Sequence, residues 1–310
     1  MPIKLLTQKK VQDIYDTYFE KLNDPEFLAK DYYAVMALKA ILEEIPNYEI
    51  RFCGGTSLSD AYKIIYRMSE DVDLKIVFIA SMAKPLRDKQ RRKVAQKIKE
   101  ILGSVKAENG KTVYYDIEDG EDGTNVSRIM AKYPKTFHSS NIEPRIKIEL
   151  GDFTPILPAV NLDIQSLISL KLSRIDIERV SCVDLTETVI DKMIALPRRI
   201  YHTYNTNFYD DEVIRHIYDI FQIIQSGKIN EKILKETYWK SVLKESNERA
   251  VSTEWDENPS KCIKKALQFL KSKNCQEDFV KYSKRFYLEP EKYSKMLKCV
   301  SEKITGLLEE

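Results

Sequence analysis

Two aspartates separated by one residue, Asp71 and Asp73, are the clearest chemical feature of the sequence. They alternate with the apolar residues Val72 and Leu74, as is typical of a strand. Because side chains at positions i and i+2 of a strand point to the same face, the two carboxylates would project together while the apolar residues enter the core. Carboxylate oxygens are ligands that Mg²⁺ prefers, so the pattern predicts a metal-binding strand.

A tight glycine turn precedes these aspartates. Gly54 and Gly55 end a short alternating run and are followed by two hydroxyl residues, Thr56 and Ser57. A turn without side chains lets main-chain amides approach phosphate oxygens. Together, the turn and the aspartates predict a site for a magnesium-bound triphosphate.

A third carboxylate is available at Glu149. The run 145–150 places Arg145, Lys147 and Glu149 on one face of a predicted strand and three apolar residues on the other. Glu149 is therefore a candidate third metal ligand, or a base for an acceptor hydroxyl. Two alternatives stay open: the run is an ordinary charged, exposed strand, or Asp152 supplies the third carboxylate.

Length and composition bound the class of protein. The chain has 310 residues, of which 43% are hydrophobic and 32% charged, and its formal net charge is +2. This length allows two domains or one elaborated domain, and the charge balance does not by itself indicate a nucleic-acid-binding protein. The sequence shows neither an apolar run of about 18 residues nor a secretory signal, so we expect a cytoplasmic protein.

The cysteines and histidines do not indicate a transition-metal site. The five cysteines are scattered and form no CxxC pair, which argues against zinc and against a disulfide framework. The three histidines are equally dispersed. A hard cation with oxygen ligands, Mg²⁺ or Mn²⁺, is the better prediction.

Hydrophobic periodicity predicts an α+β protein. Helical spacing covers 8–45, 57–67 and 81–102, and alternating runs predict strands at 48–53, 72–79, 112–117, 128–133 and 145–150. From about Asp163 the pattern turns helical almost throughout, so we place a domain boundary near residue 160. The predicted parts are a catalytic domain with N-terminal helices at 1–160 and a mainly helical domain at 161–310 that completes the cleft.

Helix boundaries can be predicted in the C-terminal part. Asp184 and Glu187 have the spacing of a capping box, and Pro197 is expected to end the helix that they open. A second helix is predicted from about Asp210 to Gly227.

The order strand, glycine turn, helix and Asp-x-Asp strand resembles the nucleotidyltransferase fold, a mixed sheet flanked by helices. Further residues narrow this resemblance from the fold to one family. GGTSL at 54–58, followed by Tyr62 and by Arg67 and Ser69 ahead of the two aspartates, closely resembles the AbiEii, or MenT-like, family of nucleotidyltransferase toxins.

Two further motifs of that family are matched in the C-terminal part. The run 187–196 has the form E-x-x-x-x-K-x-x-A-L and contains Lys192. The run 215–219 resembles the family's Arg-Asp-x-Tyr-Asp motif and contains Asp219, but His216 stands where the family has the first aspartate.

The resemblance implies roles for residues in both parts of the chain. Asp71 and Asp73 would hold two metal ions, with Glu149 as the third carboxylate. Lys192 would balance phosphate charge, and Asp219 would orient a lysine or the nucleotide. The residues implied to bind the nucleotide are Gly54, Gly55, Thr56, Ser57, Arg67, Ser69 and Lys192, and the two hydroxyls of the turn would donate to the β- and γ-phosphates.

Several of these features also have ordinary structural explanations. Arg215 and Asp219 could form an exposed i,i+4 ion pair worth a few tenths of a kcal/mol. Lys192 could extend along an apolar stripe to solvent. The lysines and aromatics of 261–287, and the basic run 87–99, could bind a phosphate backbone, but solvated helix faces are the favoured interpretation.

The resemblance implies a metal-dependent enzyme that moves a nucleoside monophosphate from a nucleoside triphosphate to an acceptor hydroxyl. The implied acceptor is RNA, for instance the 3′ end of tRNA, and the implied context is a toxin–antitoxin or abortive-infection system with a cognate antitoxin. Transfer to a small molecule, as in antibiotic-modifying enzymes, is one alternative. A nucleotide-binding or interaction module that has lost catalysis is another.

Overall fold

The structure is a computed structural model that describes residues 5–19, 22, 24–69, 71–106, 115–120, 125–206, 214–248, 253–286 and 290–308. The chain divides into two units. The first contains Met1–Lys63 and Met68–Val183, and the second contains Ile64–Arg67 and Asp184–Glu310. The sequence places a boundary near residue 160, whereas the first unit extends to Val183 because two more strands join its sheet.

The first unit is a mixed sheet with helices. Its elements are α1 (Gln8–Tyr18), α2 (Glu26–Glu44), β1 (Ile50–Cys53), α3 (Gly54–Asp60), β2 (Asp71–Val77), α4 (Lys84–Ser104), β3 (Asp116–Asp119), β4 (Val126–Lys132), β5 (Arg145–Phe153), β6 (Val160–Ile164), α5 (Leu167–Lys171) and β7 (Ile177–Cys182). The described strands form one seven-stranded sheet in the order β3-β4-β5-β2-β1-β7-β6. This confirms the predicted mixed sheet.

Strand alternation builds the core of this unit. Every second residue of β2, and of β5 as far as Leu150, is buried, including Val72, Leu74, Ile146 and Ile148. β2 runs parallel to β5 and antiparallel to β1, and β3, β4 and β5 form the predicted antiparallel group. Each buried aliphatic side chain contributes about 1.5–3 kcal/mol relative to an exposed one, so the alternation determines which face carries charge.

Four predictions about elements need correction or fall outside the described residues. The helix expected over 57–67 ends at Asp60, and the chain then turns through Lys63 in a left-handed conformation with φ 57°. The described part of the chain from Asp163 onward is helical almost throughout, as expected, except at β7, which pairs with β6 and β1 inside the sheet. Residues 112–114 and 210–213, where a strand and a helix were expected to begin, lie outside the described residues.

The second unit is helical in its described part. Its elements are α6 (Leu185–Thr206), α7 (Arg215–Gln225), α8 (Glu231–Glu248), α9 (Thr253–Glu257), α10 (Pro259–Phe269), α11 (Lys273–Tyr282), a 3₁₀ turn (Ser283–Arg285) and α12 (Tyr293–Leu308). None of the described helices combines the length and the apolar composition that crossing a bilayer requires.

Helix α6 begins as predicted but does not end at Pro197. The carboxylate of Asp184 accepts a hydrogen bond from the amide of Thr186 at 2.7 Å, which caps the helix. Pro197 lies inside α6, although an interior proline costs about 3 kcal/mol. The apolar stripe continues past it through Ile200 and Tyr201, both buried, and that burial offsets the cost.

A buried group of carboxyls lies beside α3 in the first unit. Asp60 is 3% exposed, and its Oδ2 has no hydrogen-bond partner among the described residues. Burial raises the pKa of Asp60 to about 7; hydrogen bonding by Ser59 and the charge of Lys63 oppose this, and Asp176 adds to it. Burial and the nearby Asp60 also raise the pKa of Asp31 well above its usual value.

The stability of this unit is therefore expected to fall as pH rises through about 7. Because the pKa of Asp60 is raised on folding, its contribution is complete below the unfolded pKa of about 4 and is lost above the folded value. Asp60→Asn should remove part of this dependence and raise the free energy of unfolding at pH 8 by at most about 4 kcal/mol. Urea unfolding from pH 5 to pH 8 would measure it, with the exposed Asp13→Asn as control; an unchanged pH slope in Asp60→Asn would contradict the assignment.

Candidate active site

Strand β2 carries both aspartates on one face, as the alternation predicts. Asp71 and Asp73 are half-buried, and the residues between and after them are buried. In the parallel pairing with β5, Asp71 lies beside Lys147 and Asp73 lies beside Glu149. The sheet therefore places Glu149 beside Asp73, and its role as a third metal ligand stays a prediction.

The carboxylate of Asp73 rests against Gly54. Gly54 has φ +74°, and a Cβ atom built on it would lie 1.7 Å from Asp73 Oδ2. Any side chain at this position would displace the carboxylate. The glycine turn and the Asp-x-Asp strand are thus in direct contact, through Gly54 and the carboxylate of Asp73.

Gly54→Ala is expected to abolish activity and to destabilise the first unit. The collision must move Asp73, and a non-glycine residue at positive φ adds about 1–3 kcal/mol of strain. Gly227→Ala is a matched control, because Gly227 also has a positive φ, +64°, but has nothing within 4 Å of its built Cβ. The control should lose stability without losing activity. Full activity in Gly54→Ala, measured alongside thermal unfolding, would refute the contact.

The hydroxyls of Thr56 and Ser57 donate to main-chain carbonyls of β2 and of the turn. Thr56 Oγ1 donates to the carbonyl of Asp71 and lies 2.9 Å from the hydroxyl of Ser69. Ser57 Oγ donates to the carbonyl of Gly54 at 2.9 Å. These contacts hold the turn against β2. The expected donation of Thr56 and Ser57 to phosphates stays a prediction.

Two cations lie on the same face as the carboxylates. Lys147 Nζ is 2.9 Å from Asp71 Oδ2 and 3.3 Å from Glu149 Oε1, and Arg128 Nε is 2.9 Å from Glu149 Oε1. Burial would raise the pKa of Glu149, but Arg128 and Lys147 outweigh it and lower that pKa. Burial would lower the pKa of Lys147, but the charges of Asp71 and Glu149 outweigh it and raise that pKa.

Sequence reasoning did not assign these cations a role. The alternation already placed Lys147 on the face of Glu149, so its proximity was readable. The position of Arg128 could not be predicted from the sequence, because it depends on the register of β4 against β5.

Asp152, the competing third carboxylate, lies elsewhere. It is one of the β5 residues that alternate with Glu149, so it belongs to the opposite face of the sheet. Its Oδ1 accepts a hydrogen bond from Arg91 of α4 at 2.7 Å. Among the two candidates, only Glu149 shares a face with the aspartates.

The carboxylates fit a magnesium ion that the substrate helps to bind. Among the described residues, no group of three His, Cys, Asp or Glu side chains converges closely enough to enclose a metal. Mg²⁺ is usually held by one or two carboxylates together with substrate phosphates and water, rather than by an all-protein cage. Asp71 and Asp73, facing the same way above a glycine, match that arrangement.

A second group of predicted residues meets inside the second unit. Arg67 donates two hydrogen bonds to Asp219, from Nε to Oδ1 at 2.7 Å and from Nη2 to Oδ2 at 2.6 Å. Lys192 Nζ donates to Asp219 Oδ2 at 2.8 Å. We call Arg67, Lys192 and Asp219 the Asp219 cluster. It contains the lysine–aspartate contact that an oriented lysine requires, while the roles of all three residues in nucleotide binding stay predictions.

The Asp219 cluster is buried. This excludes the alternative that Asp219 serves only in an exposed i,i+4 ion pair with Arg215. The exposed fraction of Asp219 is 0% and that of Arg67 is 2%. Burial would raise the pKa of Asp219, but Arg67 and Lys192 outweigh it and hold that pKa well below its usual range. Burial lowers the pKa of Lys192, with Asp219 opposing.

His216, the departure from the family motif, is buried on the same helix. Burial, reinforced by the charges of Lys192 and Arg215, holds the pKa of His216 well below its usual value. The ring is therefore neutral at physiological pH. Neither of its nitrogens has a hydrogen-bond partner among the described residues.

A solved structure shares the fold of the chain. The chain matches MenT4, a nucleotidyltransferase toxin from Mycobacterium tuberculosis H37Rv, with 15% identity and a TM-score of 0.58, over 99% of this chain and 91% of that chain. It also matches JHP933 from Helicobacter pylori with 11% identity, over 90% of this chain and 95% of that chain, but the TM-score of 0.39 is too low to support an argument. No curated protein sequence matches the chain.

The family comparison covers most of the chain. The family model described as "Nucleotidyl transferase AbiEii toxin, Type IV TA system" matches residues 37–298, which include the glycine turn, β2 and the Asp219 cluster. MenT4 independently supports the fold. The chain therefore belongs to the AbiEii family of nucleotidyltransferase toxins, as its sequence motifs predict.

Proposed function

We propose that this nucleotidyltransferase moves a nucleoside monophosphate from a nucleoside triphosphate to a hydroxyl of RNA, with the 3′ end of tRNA as the acceptor. The observation that carries the proposal is the contact between Gly54 and Asp73. It places the carboxylates of β2 beside a glycine turn whose main-chain amides can approach phosphate oxygens.

In the proposed reaction, an acceptor oxygen attacks the α-phosphorus and the bond to the oxygen of the β-phosphate breaks. Pyrophosphate leaves with the bridging oxygen, and the acceptor hydroxyl releases its proton to solvent water. Asp71 and Asp73 would hold Mg²⁺ or Mn²⁺. Such an ion, when bound, neutralises triphosphate charge and aligns the attacking oxygen.

The two cations beside Glu149, Arg128 and Lys147, argue against a role of Glu149 as a general base. A general base works best with a pKa near the working pH, whereas Arg128 and Lys147 lower the pKa of Glu149. We therefore favour Glu149 as a residue that positions Lys147 beside Asp71. Lys147 then supplies a fixed positive charge at the edge of the triphosphate site.

Lys192 keeps its family-based role as a cation for phosphate in this proposal. Its contact with the fully buried Asp219 supports the idea of a lysine held in one orientation. A toxin of this family also implies an antitoxin, and we propose that a cognate antitoxin restrains the enzyme.

Incubation of the purified protein with each of the four α-labelled triphosphates, Mg²⁺ or Mn²⁺, and total RNA would test the proposal. We expect label in tRNA-sized RNA, and no label with the Asp71→Asn variant. Label only in added aminoglycosides would favour transfer to a small molecule. Triphosphate binding without transfer to any acceptor would indicate a protein that has lost catalysis.

A further inference from the structure

Helix α4 carries a row of exposed cations. Lys89, Arg92, Lys93 and Lys97 are all exposed, and none forms an ion pair with a carboxylate in the part of the chain that the structure describes. We call these four residues the α4 stripe. The basic run in which they lie was noted in the sequence and is not used by the active site.

The opposite side of α4 fixes the helix to the sheet. Val94, Ile98 and Leu102 have an exposed fraction of 0%. Arg91 is also buried and is paired with Asp88 at 2.8 Å and Asp152 at 2.7 Å. The stripe is therefore presented by a rigid, anchored helix.

The spacing of the stripe suits a nucleic-acid backbone. Lys89, Lys93 and Lys97 follow one another at i,i+4, so neighbours lie about 5–6 Å apart on one row of the helix. From Lys89 to Lys97 the helix rises about 12 Å. A nucleic-acid strand places a phosphate about every 3.4 Å along the axis of its duplex, so this length faces about three to four phosphates.

Some exposed lysines on the C-terminal helices are paired instead, whereas others, such as Lys240 and Lys264, form no ion pair in the described part of the chain. Four of the paired lysines lie one helical turn from a glutamate at ion-pair distance: Lys232 and Glu236 at 3.9 Å, Lys273 and Glu277 at 3.5 Å, Lys295 and Glu291 at 2.6 Å, and Lys298 and Glu302 at 3.9 Å. Their charge is compensated on the helix itself, as expected of an ordinary solvated face. The charge of the α4 stripe is not compensated in this way.

The chemistry of the stripe favours nucleic acid over a protein or a membrane. Between Lys89 and Lys97 the exposed positions are all polar, whereas protein interfaces are enriched in aromatic anchors and depleted in lysine. Membrane-surface helices turn an apolar face to the lipid, but the apolar face of α4 is buried in the protein.

We propose that the α4 stripe binds the phosphate backbone of the RNA acceptor; the identity of this ligand as an acceptor rests on the proposed function. Through Arg91 and Asp152, α4 lies on the sheet face opposite to that of Asp73 and Glu149. The stripe thus holds the body of a long RNA and not its reacting end.

RNA binding without turnover tests the stripe directly. Four glutamines replace Lys89, Arg92, Lys93 and Lys97 in an Asp71→Asn background, and the dissociation constant for fluorescent tRNA is measured between about 50 and 200 mM salt. We expect binding to weaken about 10- to 100-fold, and the slope of log K against log salt to fall by about 3 units. The control replaces Lys232, Lys273, Lys295 and Lys298 with glutamine, which removes the same charge; its binding should change less than about twofold.

Transfer to RNAs of different length gives the second test. In the background with Asp71 intact, the stripe variant should show a raised KM for full-length tRNA and an unchanged KM for a short oligonucleotide with the same 3′ end. The assignment would be overturned if the stripe variant bound tRNA as tightly as the wild type, or if both quadruple variants lost binding equally. It would also be overturned if the stripe variant lost antitoxin binding while its RNA binding stayed intact. If the wild type binds RNA through the stripe but transfers nothing to it, the proposed function fails and the binding site stands.

Discussion

Asp219→Ala is expected to lower the free energy of unfolding of the helical unit by about 3–5 kcal/mol. The substitution leaves the buried guanidinium of Arg67 and the ammonium of Lys192 without the carboxylate that both of them contact. An uncompensated buried charge is one of the few causes of so large an effect. Both tryptophans, Trp239 and Trp255, belong to this unit, so their fluorescence during urea unfolding reports on it.

Lys192→Met separates stability from function in the same cluster. Asp219 remains bound to Arg67 through two hydrogen bonds, so we expect a smaller loss of stability than in Asp219→Ala. If Lys192 binds phosphate, this variant should nevertheless raise the KM for the triphosphate. A loss below about 1 kcal/mol in Asp219→Ala would show that the cluster is not a closed buried network.

Asp73→Asn and Asp71→Asn are expected to reduce nucleotidyl transfer by about 10³-fold or more, a loss of about 4 kcal/mol of transition-state stabilisation. Asparagine keeps the shape of the side chain but removes the charge that would bind a divalent cation. Transfer of labelled nucleotide, with circular dichroism to confirm folding, measures the effect. Asp116→Asn, on the exposed edge strand β3, is the control and should retain activity.

Glu149→Gln distinguishes the two roles considered for this residue. A loss as large as that of Asp73→Asn would identify a metal ligand. A smaller loss that Lys147→Gln reproduces would support a positioning role, because both substitutions break the same 3.3 Å contact. Transfer near the wild-type rate in Asp73→Asn would remove the basis of the metal assignment altogether.

The local part of the active site was predictable because it depends on short-range geometry. The two-residue period of a strand places Asp71 and Asp73 together, and it does so whichever strand lies beside β2. The glycine pair was likewise readable as a turn. The cap at Asp184 was predictable for the same reason, since it involves a main-chain amide only two residues away.

The errors arose where long-range packing outweighs a local signal. Pro197 is a strong local signal for a helix end, but the burial of Ile200 and Tyr201 carries α6 past it. Strand β7 lies in a region of helical character, but it pairs antiparallel with β6, and its end pairs with β1, which is distant in the sequence. In both cases burial or strand pairing with another segment decides the outcome, and a pattern read within the segment itself does not contain it.

The sequence by itself determined the family, the paired aspartates and the turn before them, because these depend on residue type and on spacing over a few positions. Only the tertiary structure decided that Glu149 rather than Asp152 faces the aspartates, that Arg128 of β4 joins that face, and that Asp219 is buried between two cations. Strand register and burial set these contacts, and both depend on residues up to 152 positions apart.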